Sequence, residues 1–295
     1  MEKQPKKGAI RVEENDRHLI ITGEAFEYTY SKLTGMFIQM KHDGQEMLDR
    51  PMEVNIWRAP TDNDRKRKEV WQNAHYHESM TRAYETSWES KDSEVVIQST
   101  MSVQAVTVQR ILDLNVVWTI DSESMTGVRM LAKKDMEFPE LPRFGLRLFL
   151  KKELDQVSYY GMGPEESYAD KHRASSHGLY SSAVSHMHED YIRPQENGSH
   201  YDCDYVMVQN EQKQFMAVSD RPFSFNVSPY TQEELTEKKH NYELEACGST
   251  VLCLDYAQNG IGSNSCGPDL LEKYQFNEEE FVFEIQFQFQ PRIMG

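Results

Sequence analysis

An arginine and two aspartates that follow an apolar, strand-like segment within residues 55–64 are the first candidates for chemistry. Pro60 fixes its own φ and favours an extended residue before it, so the chain must leave the strand there. Asp62 and Asp64 can then accept hydrogen bonds from nearby backbone N–H groups or pair with Arg58. The cluster can bind the hydroxyl groups of a ligand or hold a loop in shape. We favour loop shaping, because loops of this composition satisfy their own backbone.

Two later segments share this character, YGMGPEESYAD (160–170) and YIRPQENG (191–198). Each is a loop at a strand end that is rich in glycine and proline and dense in aromatic, amide and acidic groups. We predict that Glu165, Glu166, Asp170 and Glu196 shape these loops, for the same reason as in the first cluster.

A fourth segment, GIGSNSCGP (260–268), has the strongest claim to a functional role. Two glycines, three short polar side chains and a Gly-Pro pair predict an exposed loop of defined shape. Asn264, Ser265 and Cys266 are therefore candidate ligand-binding residues. The alternative is that Cys266 is merely buried under the loop as a small apolar group.

In this order, the four segments resemble the C-terminal large β-domain of glycoside hydrolase family 2 β-galactosidases, also called the β-galactosidase small chain. The family pattern runs WRAPTDND, YGxGPxExYxD, YxxPQENG and GIGSxSCGP, and the resemblance covers residues 12–289. We refer to residues 57–64, 160–170, 191–198 and 260–268 as the first, second, third and fourth motifs.

The resemblance implies that the complete enzyme hydrolyses terminal β-D-galactosides with retention, and that a TIM-barrel portion or large subunit carries the catalysis. A retaining enzyme needs two carboxylates roughly 5–5.5 Å apart, and the acid/base and nucleophile motifs of the barrel do not occur here. We therefore expect no catalytic residue in this chain and no hydrolysis by it alone. We also expect no cofactor here, since any Mg²⁺ or Na⁺ that the family enzymes use belongs to the barrel.

The resemblance also implies roles for the motifs. In the family, a residue of the fourth motif reaches into the sugar site of the barrel, and some members have a tryptophan there. This chain has Cys266, which predicts a smaller, non-aromatic contact, and a galactoside bound only in the complete enzyme. The candidates for loop shaping or for the interface with the barrel are Trp57, Arg58, Asp62, Asn63, Asp64, His75, Glu165, Asp170 and Glu196.

Composition argues against several classes of function. The 295 residues carry a formal net charge of −16, whereas nucleic-acid and anionic-membrane partners require a basic surface. No apolar run approaches ~18 residues, the length that spans a membrane, and the charged N-terminus lacks the apolar segment of a signal peptide. We therefore expect a cytoplasmic protein with reduced cysteines. His186 and His188 have no third ligand at a known spacing, so we expect no metal site.

Short alternating strands dominate the chain and must position these motifs. In residues 280–288 the apolar side chains alternate, which predicts a strand with one buried face. Residues 144–150 form another strand, flanked and interrupted by Arg143 and Arg147, which we place at outward positions. Residues 242–246 are also predicted to be a strand. Few helices are expected: one at 65–73, one that begins at the Thr231 capping box and ends near residue 238, and a segment of mixed helical and loop character at 180–188.

So many strands with so few helices predict an all-β fold of two large packed antiparallel sheets. The resemblance implies a supersandwich of the galactose-mutarotase type. We predict one domain over residues 1–295, with residues 1–8 as a flexible tail. Two rival functions stay open: a free-standing carbohydrate-binding sandwich, and a mutarotase-like aldose epimerase, which would need a His/Glu acid–base pair in one pocket.

Overall fold

The structure of the chain is a computed structural model that describes residues 8, 10–91, 93–262 and 266–291. Within these residues the strands form a five-stranded and a twelve-stranded sheet. Every strand pair in both sheets is antiparallel. The prediction of an all-β, antiparallel two-sheet fold with few short helices is confirmed.

The smaller sheet is a simple meander of neighbouring strands. Its strands are, in order, β1 (Arg11–Glu14), β2 (His18–Thr22), β3 (Phe26–Ser31), β4 (Met36–His42) and β5 (Gln45–Glu46). Alternation decides which face is buried: Tyr28 and Tyr30 of β3 are fully buried, whereas the threonine between them is half-buried.

The larger sheet branches at one long strand. Its members are β6 (Leu48–Asn55), β7 (Met80–Lys91), β8 (Glu94–Gln104), β9 (Arg110–Asp121), β10 (Thr126–Lys134), β11 (Arg143–Lys151), β12 (Gln156–Gly163), β13 (Ser176–Ala183), β14 (His200–Gln209), β15 (Lys213–Ser228), β16 (Ser249–Gln258) and β17 (Glu280–Pro291). The first half of β15 pairs with β17, which leads through β10, β9 and β8 to β7. Its second half pairs with β16, which leads through β11 to β6.

One hydrophobic core contains side chains from both sheets. Phe37 of β4 meets Trp118 of β9 edge to face, with 5.0 Å between the ring centroids, and so joins the smaller sheet to the larger. The alternating apolar residues of β17 all point into this core, as the sequence predicts; they are Phe281, Phe283, Ile285, Phe287 and Phe289. We propose on this basis that residues 1–295 form one domain; of the expected tail, residues 1–8, only Gly8 is described.

The helices are short and lie between strands. They are α1 (Arg67–Asn73), α2 (Gln232–Glu237) and the 3-10 turns Asp62–Lys66, Tyr76–Glu78, Val184–His186, Asn241–Glu243 and Glu272–Tyr274. The Thr231 hydroxyl accepts a hydrogen bond from the Glu234 N–H at 3.2 Å, so the predicted N-cap of α2 is confirmed.

Two predictions about strands are wrong. Arg143 and Arg147 are not outward: Arg143 is fully buried, because the third motif and α2 cover this face of β11 and supply anionic partners. Residues 242–246 are not a strand either. The Glu243 carboxylate accepts hydrogen bonds from the N–H groups of Lys239 and His240 at 3.0 Å each, which closes a 3-10 turn there instead.

His200, at the start of β14, is a buried histidine whose ring packs between two aromatic rings. The centroid distances are 4.4 Å to Tyr159 and 5.3 Å to Phe225. Its Nδ1 bonds the carbonyl of Met162 at 3.1 Å. Burial lowers the pKa of His200 from 6.5 to about 4, because the apolar surroundings disfavour the charged imidazolium.

We expect this histidine to make the fold acid-sensitive. Between pH 6.5 and about 4 the unfolded chain binds a proton at His200 and the folded chain does not, so stability falls as the pH falls. Urea unfolding at several pH values should show wild type losing about 3 kcal/mol more than His200→Gln over this interval. His186→Gln, at an exposed histidine, is the control and should follow wild type. Parallel profiles for wild type and His200→Gln would contradict the assignment.

Candidate functional site

The four motifs, far apart in sequence, meet at one cavity of about 760 Å³. We call it the motif cavity. Each motif lies next to a strand end: the first follows β6, the second spans the end of β12, the third precedes β14 and the fourth follows β16. Among the described residues that line the cavity are Asp62, Glu166, Asp170, Tyr191, Glu196 and Gly262.

A buried ion pair ties the first motif to the fourth. Arg58 donates to both carboxylate oxygens of Asp64, from Nη2 at 2.6 Å and from Nε at 3.1 Å, and its side chain is fully buried. The same guanidinium donates to the backbone carbonyls of Asn259 and Gly260. Asp64 in turn accepts from the Thr61 N–H at 2.9 Å. Arg58 therefore fixes the path of the chain as it enters the fourth motif.

Glu196 ties the third motif to the first and to the large sheet. One of its oxygens accepts from the Ala59 N–H at 2.9 Å, and its own N–H donates to the Ala59 carbonyl at 3.0 Å. The other oxygen accepts from Arg143 at 2.8 Å and from Asn226 at 3.2 Å. Arg143 also donates two hydrogen bonds to the carboxylate of Asp255. Burial alone would lower the pKa of Arg143, but the negative charges of Asp255 and Glu196 raise it well above its ordinary value.

The second motif is held by two carboxylates. Asp170 accepts hydrogen bonds from the N–H groups of Ile261 and Gly262, at 3.0 and 2.7 Å, and so fixes the start of the fourth motif. Glu166 accepts from Lys171 at 2.6 Å and from the Tyr191 hydroxyl at 2.9 Å. Burial opposes ionisation of Glu166, yet its hydrogen bond to Lys171 holds the pKa of this carboxyl below its ordinary value.

Glycine is required at one point of the third motif. Gly198 has a φ of +66°, which L side chains rarely adopt, and a Cβ there would collide with the backbone carbonyl of Met187. Its N–H donates to Glu166 at 3.0 Å, so this conformation also links the third motif to the second.

The other predicted residues lie at different places in the structure. Trp57 is buried, and its Nε1–H donates to Thr236 of α2 at 3.2 Å. Asn63 donates to the Gly262 carbonyl at 2.6 Å, at the motif cavity. His75 adopts a φ of +58° beside α1 and bonds Glu78 at 2.9 Å. Glu165 is exposed, whereas its neighbour Glu166, weighed with it as a loop-shaping residue, lines the cavity.

Of the three candidate ligand-binding residues, Asn264 and Ser265 lie outside the described residues. Cys266 is exposed. The sequence analysis missed two of the partners of Arg143, Asp255 and Asn226, because nothing near them in sequence marks them. A signal did exist for Arg143 and Arg147: arginines within an otherwise apolar strand indicate that anionic partners cover that face.

Neither a metal-binding cluster nor a membrane-spanning helix is found in the described part of the chain. It contains no group of three or more His, Cys, Asp or Glu side chains arranged to hold a metal ion. None of its helices has the length and apolar character that a membrane crossing demands.

Comparison with known proteins identifies the family of this chain. Residues 22–289 match the family described as "Beta galactosidase small chain". The chain belongs to this family. The resemblance in the four motifs is thereby confirmed, and the family match extends across both sheets.

Two relatives of this chain are longer proteins. A protein named beta-galactosidase from Actinobacillus pleuropneumoniae is 42% identical over 288 residues, which are 98% of this chain and 28% of the relative. Another of that name, from Staphylococcus xylosus, is 36% identical over 94% of this chain and again 28% of the relative. The chain therefore spans just over a quarter of the length of these relatives.

Two solved structures share the fold of this chain. A galactose 1-epimerase from Lactobacillus acidophilus superposes with a TM-score of 0.53 at 8% identity, covering 97% of this chain and 99% of the epimerase. A protein designated HI1317 superposes with a TM-score of 0.51 at 9% identity, covering 98% of both chains. The predicted mutarotase-like architecture is confirmed; at such low identity the likeness concerns the fold alone.

We expect Arg143 to be a large contributor to stability. Arg143→Met leaves Glu196 and Asp255 buried without their cation, which costs about 3–5 kcal/mol. Arg129→Met is the matched control, because Arg129 pairs with Glu284 at the surface, where a pair contributes about 0–1 kcal/mol. Urea unfolding of both variants measures the difference. Equal, small losses would show that the buried network does not hold the motifs.

Proposed function

We propose that this chain is the C-terminal domain or small subunit of a cytoplasmic β-galactosidase, a retaining glycoside hydrolase for terminal β-D-galactosides. The observation that carries the proposal is the convergence of the four family motifs on one cavity. They are joined by buried contacts between residues as distant as Arg58 and Gly260, 202 positions apart. Relatives named beta-galactosidase are more than three times longer, which leaves ample chain for a catalytic portion.

In this proposal the chain completes the galactoside site and stabilises the assembly. Its partner is the catalytic TIM-barrel portion, or a separate large subunit. The catalytic acids and any Mg²⁺ or Na⁺ belong to that partner. The exposed Cys266, with Asn264 and Ser265, contacts the sugar from this side. The contacts between the motifs support this role, because they hold Gly260 and Gly262, at the start of the fourth motif, in position.

The mutarotase-like alternative has less support. It needs an acid–base pair of histidine and glutamate facing one pocket. No histidine occurs among the described residues that line the motif cavity, and Glu196 already binds Arg143 and the Ala59 N–H. A free-standing sugar-binding module also has less support, since Asp170 and Glu166 already accept hydrogen bonds from the protein itself.

The purified chain should not hydrolyse a chromogenic β-galactoside, because both catalytic carboxylates lie in the partner. Mixing it with the remaining portion of the Actinobacillus pleuropneumoniae relative, 42% identical over this chain, should restore turnover. The remaining portion alone is the control. Turnover by this chain alone that survives rigorous purification would contradict the proposal, and so would an inert mixture.

Thiol labelling tests the position of Cys266. Its exposed thiol should react rapidly in the isolated chain, whereas Cys203 and Cys253 are buried, and burial raises the pKa of Cys253 to about 12. Association with the catalytic portion should slow labelling of Cys266. Cys266→Ser should leave the stability of the chain unchanged and alter the KM for galactosides. Equal labelling rates before and after association would remove Cys266 from the sugar site.

A further inference from the structure

Acidic side chains outnumber basic ones in the described lining of the motif cavity. Acidic side chains that line it are Asp62, Glu166, Asp170, Glu196 and Asp269, and Lys171 is the one basic residue among its described lining. Lys171 is paired with Glu166, and Arg143, from behind, with Glu196. Asp170 receives its hydrogen bonds from neutral backbone N–H groups. Asp62 is exposed and faces the neutral side-chain amide of Gln195 at 3.4 Å.

Exposed apolar side chains surround this acidic cavity. Leu271 and Tyr191 lie in its lining and are 62% and 38% exposed. Ile192, next to Tyr191, is 82% exposed, and its carbonyl accepts from the N–H of Asn241, the residue before the exposed Tyr242. Large apolar side chains grouped at a polar cavity are typical of a surface that a protein partner covers.

We propose that the motif cavity is the docking site for the catalytic portion, which inserts an arginine side chain into it. This inference rests on the proposed function, which supplies the partner. The guanidinium donates to Asp62 and lies against the ring of Tyr191, while neighbouring apolar residues of the partner cover Ile192 and Leu271. Arginine suits the site because its planar cation bonds carboxylates and stacks on aromatic rings with one side chain.

The charge of the chain favours this partner over a second copy of itself. With a net charge of −16, two copies repel each other at long range, whereas a cationic segment of a partner is attracted to the cavity. The position of the fourth motif beside the cavity supports the same partner. Ile261 and Gly262 line the cavity, so a partner that receives the Cys266 segment must also lie over the cavity.

The test measures the dissociation constant between this chain and the remaining portion of the Actinobacillus pleuropneumoniae relative. Asp62→Asn keeps the size of the side chain and removes its charge, and it should weaken association about tenfold or more. Raising the NaCl concentration should weaken association of wild type more steeply than that of Asp62→Asn. Ile192→Ser should also weaken association, but with the salt dependence of wild type.

Asp220→Asn is the matched control, since Asp220 is exposed and lies outside the motif cavity, and it should bind as wild type does. A complex whose affinity is unaffected by both Asp62→Asn and salt overturns the docking inference and leaves the proposed function standing. Failure of the wild-type chain to form any complex overturns the proposed function together with the inference. Self-association of this chain that Asp62→Asn weakens overturns it too, because the occupant is then a second copy.

Discussion

The buried ion pairs of Arg58 and Arg143 are the constraint on which the arrangement of the motifs depends. A guanidinium can be buried only if its donors meet carboxylates or carbonyls, because an unpaired charge in the interior is strongly destabilising. Arg143 meets this condition only when β16 supplies Asp255 and the third motif supplies Glu196. The two elements are therefore held in one relative position, and the loop that contains Glu196 cannot shift without exposing a charge to the interior.

Hydrogen bonds between the loops extend this constraint to all four motifs. Glu196 holds Ala59 of the first motif, Arg58 holds the carbonyls that begin the fourth, and Asp170 of the second motif holds the next two N–H groups of the fourth. Loops on a β-sandwich are usually its most variable parts. Here polar contacts join the described parts of the four loops to one another, and this arrangement supports the proposed role of the chain.

The same network bears on the mutarotase-like alternative, because this chain shares its fold with a galactose 1-epimerase. The polar groups on the covered face of β11 neutralise one another: Arg143 with Glu196 and Asp255, and Arg147 with Glu53 and Glu233. A general acid or base must exchange protons with a substrate, and Glu196 and Asp255 are buried and held by Arg143. This chain and the galactose 1-epimerase share a fold, so the chemistry that each can perform depends on which of its side chains are accessible.

The sequence by itself determined the architecture and the family. Period-2 alternation, as in Phe281 to Phe289, is a local property, so the strands and the buried face of β17 could be predicted. The motifs were sufficient for the family because each is a short contiguous segment. Only the tertiary structure decided that these motifs surround one cavity, that Glu166 rather than Glu165 lines it, and that Arg143 and Arg147 are buried. The burial of an arginine depends on partners such as Asp255, 112 positions away, and no local pattern encodes a contact between residues so far apart.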